Sequence, residues 1–429
     1  MNTKFETKTL ENGMTVKTLQ NNYLHSVNLG VYVNKIPEPV CGIAHMVEHM
    51  FFRCLGDIPQ EKLYFEMDKI GATINAATYS DFVCFDITVA PSKIKEAFNL
   101  ISRIFSKFEW NLEDVLAEKE VVKRQIEERY NSLYSKTDLA YYEGTPKGSL
   151  LMGKISDINK MSVRKINEYR EMMFIPENAC FVMTGNFANE DLTYCVDGLS
   201  KISCNANKNS LVKEYSIKYF SQRTEKSDKI YSSKDSFSDV CISFDVDDKK
   251  INRYGAEYLF NVLGFGVTSK LSQKLREQDG LISDINGEIE FTDYSGRMSF
   301  EYEVKNTDLT DSLLSTFDVL AKTKNNLSQA DIESNIVFYT ENQERLLDDV
   351  RELNFLIGWR GFIGSEQIKS MEDLIDRYKN ITVDEINQAS NEILAPKNLT
   401  ISVSNNNQRF SKEELKTILR NCRDKLEVN

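Results

Sequence analysis

A chain of 429 residues, 41% hydrophobic and 28% charged, has the composition of a soluble globular protein and the length of two or three domains. Its net charge of −12 excludes nucleic acid as the main partner, because phosphate binding requires basic surface. No apolar run approaches a membrane span, and Met1-Asn2-Thr3-Lys4-Phe5-Glu6 carries no signal-peptide core, so no membrane partner and a cytoplasmic location are expected.

In chain order, Asn12-Gly13 marks a hairpin between Thr7–Leu10 and Met14–Thr18, and the alternation from Val27 to Val33 predicts a further strand. A helix is predicted to start near Gly42. Its window His45-Met46-Val47-Glu48-His49 holds two of the three histidines in the chain. Residues four apart share a helix face, so His45 and His49 can aim at one point, with Glu48 beside it. Two neutral imidazoles and a carboxylate supply two ligands and a base for a catalytic zinc, in the inverted order His-x-x-Glu-His. Gln60 to Ile70 predicts a second helix that stops at Gly71. Thr73 to Ala77 and Phe82 to Val89 read as paired strands around Tyr79-Ser80-Asp81. Lys93 to Phe108 and Leu112 to Asn131 each read as a helix.

The cysteines (Cys41, Cys54, Cys84, Cys180, Cys195, Cys204, Cys241 and Cys422) form no Cys-x-x-Cys pair. Several lie in apolar runs, as small buried hydrophobes do in a reducing compartment.

The two halves repeat. Ser162-Val163, Ile166-Asn167 and Pro176-Glu177-Asn178 precede a strand from Cys180. Thr382-Val383, Ile386-Asn387 and Pro396-Lys397-Asn398 precede a strand from Leu399. The prolines at 176 and 396 stand 220 apart, and the other pairs keep that offset. Leu63 to Val89 and Leu271 to Val304, the latter with Gly280 as its stop, also run as helix, glycine and paired strands. A polar stretch without periodicity, 206–229, predicts a linker between domains 1–205 and 230–429, of which only the first carries the histidines.

These residues resemble the inverted-zincin peptidases of the pitrilysin, insulysin and mitochondrial processing peptidase type. The likeness is carried by Leu10 to Val16, Gly42 to Phe52, Gly71 to Thr78, Pro176 to Gly185 and Leu263 to Leu281. It implies an α+β fold of two homologous domains, each a mainly antiparallel sheet packed with helices, forming half of a clam-shell. It also implies a Zn²⁺ cofactor, a peptide substrate, and a dimer with itself or with a homologous subunit. In the family a glutamate on a later helix completes the metal site, and a second glutamate seven residues before it supports the site. The hydrophobic phase of Val121, Val122 and Ile126 places Glu118 at the supporting position and Gln125 at the ligand position. An amide is a poor zinc donor. Glu128, one turn on, is the alternative donor, whereas Glu127 points to solvent. Two functions follow: a zinc endopeptidase with His45, His49 and Gln125 around the metal and Glu48 as base, or an impaired, regulatory partner subunit that binds peptides. The resemblance further implies substrate contacts near Asn75, and near Arg297 and Tyr302, which at strand spacing face opposite ways.

Overall fold

A computed structural model describes residues 4–427 apart from 131–132, 134–150, 204–227, 248, 292–295, 325, 364–365, 367 and 407–408. Most of the expected linker, together with Cys204, thus lies outside the described residues. The chain forms two compact units. One gathers 4–129, 151–203 and 341–375; the other gathers 228–340 and 376–427.

The first unit is built on a six-stranded sheet of β1 (Glu6–Thr9), β2 (Thr15–Gln20), β3 (Val27–Asn34), β4 (Thr73–Thr78), β5 (Phe82–Val89) and β6 (Ala179–Gly185), in the order β1-β2-β6-β3-β5-β4. All pairs are antiparallel except β2 with β6. Its helices include α1 (Ile43–Arg53), α2 (Gln60–Ile70), α3 (Ile94–Ile101) and α4 (Leu112–Arg129). Gly71 ends α2 in the left-handed conformation, φ 63°, as expected of that stop. The helix expected over Lys93–Phe108 is shorter. It tightens at Ser102–Phe105 into a 3-10 turn, and the buried Arg170 takes Ser106 O and Phe108 O, carbonyls that a continuing helix would have spent on itself.

β3 is buried along nearly its whole length, because α3 packs against it and the helix Val350–Gly358 also lies on β3 and β6. Asn354 on that helix is wholly buried and donates to Asn28 O at 3.1 Å, Val182 O at 3.0 Å and Thr184 Oγ1 at 3.3 Å, while Tyr32 OH donates to its Oδ1 at 3.0 Å. A Cβ on Gly30 would collide with that Oδ1, so glycine is required there. This contact is why 341–375, which a reading by halves assigns to 230–429, belongs to the first unit.

The second unit carries β7 (Lys229–Ser233), β8 (Phe237–Val246), β9 (Asn286–Phe291), β10 (Gly296–Lys305) and β11 (Leu399–Asn406), ordered β9-β10-β8-β11-β7. Again one pair, β7 with β11, is parallel. The repeat has a structural cause. Ser162 and Thr382 cap equivalent helices by accepting from Lys165 N and Glu385 N. Asn167 clasps the backbone of Trp110 through both N–H and C=O, and Asn387 clasps Leu327 in the same way. The sheets are mostly antiparallel with many helices, the mixed two-domain architecture expected of the sequence.

Candidate metal centre

The apolar face of α1 fixes the helix. Phe51 meets Phe85, Trp110 and Phe174 edge-on, with ring centroids 5.2, 5.2 and 4.9 Å away. Its neighbours Met46, Val47 and Met50 are fully buried. On the same helix, His45 and His49 bring their ring centroids to 4.5 Å.

His49 Nδ1 lies 2.7 Å from Glu118 Oε1. A carboxylate only accepts, so Nδ1 carries the proton and Nε2 keeps its lone pair for a ligand. The other Glu118 oxygen accepts from Arg53 Nε at 2.5 Å. Burial alone would raise the Glu118 pKa, but the His49 and Arg53 hydrogen bonds outweigh it and hold the carboxyl below its ordinary range. A carboxylate behind a ligating imidazole fixes its ring orientation and basicity, so if His49 ligates zinc, Glu118→Ala is expected to weaken that binding ~10- to 100-fold in competition with a chromophoric chelator.

Glu48, also buried, accepts from Thr78 Oγ1 at 2.5 Å. Burial raises its pKa, opposed by the Thr78 hydrogen bond and by His49, which suits a group that must both take and return a proton. Thr78 is the last residue of β4, an edge of the sheet. His45 is driven down to about 3 by burial, and further by His49, Arg129 and Lys35, so its ring stays neutral at physiological pH.

α4 packs on α1. Glu118 meets His49 and Arg53, whereas the charge of Arg129 reaches His45, so the two helices run antiparallel. Gln125 stands two turns beyond Glu118 on the same side of α4. Gln125 Oε1 and His45 Nδ1 are both buried without a hydrogen-bond partner. Such stranded groups need an explanation, and a cation held between α1 and α4 would supply one for the Gln125 oxygen. Among the described residues no three His, Cys, Asp or Glu side chains converge on one point. Glu127 and Glu128 are exposed.

Asn75 donates to Asp86 Oδ2 at 3.4 Å; three residues before Thr78, it faces the other side of the sheet. Arg297 and Tyr302 are both buried inside the second unit, where Arg297 donates to Ser243 Oγ at 3.0 Å and Tyr302 OH lies 3.2 Å from Thr316 Oγ1. Two contributors went unassigned from sequence. Arg53 is four residues after His49, a spacing that already puts it on the ligand face. Thr78 had no such signal, because its contact depends on how β4 meets α1.

The chain is similar to known proteins in sequence and fold. The family described as Insulinase (Peptidase family M16) matches residues 15–153, and the domain described as Peptidase M16 inactive domain matches 160–336. An uncharacterized zinc protease of Mycobacterium bovis is 20% identical over 90% of both chains. One of Bacillus subtilis is 22% identical over 64% of this chain and 67% of its own. The mitochondrial-processing peptidase subunit beta of Lentinula edodes is 24% identical over 44% of this chain and 42% of its own. The fold matches a protease from Helicobacter pylori with a TM-score of 0.84 at 16% identity, over 94% of this chain and 100% of that one.

Proposed function

The chain belongs to the insulinase (M16) family of peptidases, and on that premise we propose that it is a zinc-dependent endopeptidase of extended peptides whose metal affinity is lowered by Gln125. The observation that carries this reading is the Thr78–Glu48 hydrogen bond, which holds a carboxylate of raised pKa at the end of an edge strand. An extended peptide adding to β4 would be held by backbone hydrogen bonds, a mode that accepts many sequences.

His45, His49 and the Gln125 oxygen would hold the ion. Zinc at this place would polarise the scissile carbonyl and acidify the attacking water. Glu48 takes the proton from that water and hands it to the leaving amine. Glu118 keeps the His49 ring turned, and Thr78 keeps the Glu48 carboxylate from rotating away. The scattered cysteines support a cytoplasmic setting, and the homologous subunits among the relatives support a dimeric chamber, with this chain or a related one as partner.

Gln125 favours a second reading, in which the chain is the impaired subunit of a heterodimer and binds peptide without cutting it. Zinc per chain and cleavage of an unstructured peptide separate the two. Glu48→Gln is expected to retain zinc and to lose cleavage by roughly 100-fold or more. A parent chain that neither holds zinc nor cuts, alone or with a homologous subunit, sinks the peptidase reading. An active parent sinks the impaired-subunit reading.

A further inference from the structure

We propose that Glu38 is a positioning residue for the first histidine, an inference that rests on reading His45 and His49 as metal ligands. The residue at the N-terminus of α1 is Gly42, in the left-handed conformation with φ 82° and with no side chain to cap the helix. A Cβ there would run into Met152 O, so a capping Ser, Thr or Asp has no room. Glu38, from the preceding loop, replaces that cap. Its Oε1 accepts from Ala44 N at 3.0 Å and its Oε2 from Gly42 N at 3.4 Å. Ala44 is the residue immediately before His45.

The carboxylate is itself held. Lys35 Nζ stands 3.7 Å from Glu38 Oε2, and the two side chains are only 5% and 6% exposed. Lys35 follows the end of β3, and its backbone N–H donates to Asp81 O at 2.7 Å, in the turn between β4 and β5. The path therefore runs from the sheet through Lys35 and Glu38 to the helix turn that carries His45. A buried carboxylate with a buried lysine behind it does not swing, so it fixes the start of α1 relative to the sheet. Each histidine thus has its own carboxylate: Glu118 orients the ring of His49 directly, and Glu38 sets the backbone beneath His45.

The test uses the full chain with cobalt(II) as probe, read by its visible absorption. Glu38→Ala is expected to weaken cobalt binding by ~10-fold or more, as loss of a supporting carboxylate does. Glu38→Gln keeps an acceptor for Ala44 N and is expected to lose only about threefold, so it decides the matter if the alanine variant does not fold. The control is Ser411→Ala, which removes the cap of the helix Lys412–Asp424 in the second unit and should leave cobalt binding unchanged. Equal cobalt affinity in parent and both Glu38 variants overturns the proposal, as does an equal loss in Ser411→Ala. If the parent shows no cobalt spectrum, the metal reading fails, and ring NMR of the three histidines decides the positioning role. A shift of His45 in the Glu38 variants but not in Ser411→Ala supports it; an unmoved His45 overturns it.

Discussion

Glutamate in place of Gln125 is expected to raise zinc affinity by roughly 100-fold or more, equivalent to about 2.7 kcal/mol, and to raise peptide cleavage with it. The amide oxygen of Gln125 is already buried and unpartnered, in the part of α4 that faces His45. The substitution changes one terminal atom and adds a full negative charge without adding bulk. Without the ion, that charge would sit buried near the neutral His45, so the metal-free variant should be less stable than the parent and the zinc-bound variant more stable. Zinc competition titrations and the thermal midpoint with and without chelator measure both effects. Unchanged affinity in Gln125→Glu would show that residue 125 does not face the ion. Affinity that rises without cleavage would place the defect elsewhere and favour the peptide-holding subunit.

The second large effect is at Asn354. Its side chain makes four of the polar contacts that seat the helix Val350–Gly358 on the first sheet: three as donor, and one as acceptor from Tyr32 OH. Asn354→Ala removes all of them and leaves a buried phenol and a cavity. The expected loss is ~3–5 kcal/mol, seen as a lower urea midpoint. Asn354→Leu should fare no better, since the Tyr32 hydroxyl still lacks its acceptor and Gly30 leaves no spare room. Asn391→Ala, at an exposed position of the helix Val383–Ile393, should change stability by less than ~0.5 kcal/mol. A parent-like midpoint in Asn354→Ala would mean that the helix is held without Asn354, by its apolar side chains and by the Thr184–Val350 and Arg351–Asp86 contacts.

The legible parts of this fold are those encoded by short-range spacing. His45 and His49 are brought together by four residues of helix, and Gly71 stops α2 through its own conformational freedom. The equivalent asparagines, Asn167 and Asn387, stand in matched motifs because each does the same backbone-clasping work. Glu118 was reachable through the hydrophobic phase of α4, given the family pattern. What the sequence left unspoken depends on contacts between distant segments. Thr78 reaches Glu48 only because of the way β4 passes α1. The residues around Val350 show an apolar helix face, but periodicity does not say which sheet that face will cover. Lys93–Phe108 has helical periodicity throughout, yet Arg170, more than sixty residues on, captures the carbonyls near its end.

The helix Val350–Gly358 also sets an order of events during synthesis. A ribosome that has released residues 4–203 has delivered all six strands of the first sheet, but not the segment that covers β3 and β6 on the side of Asn354. Until residue 358 has emerged, that surface must stay wet, be shielded by a chaperone, or stick to a neighbour. An N-terminal half made alone would therefore be aggregation-prone, even with every residue of its histidine helix in place.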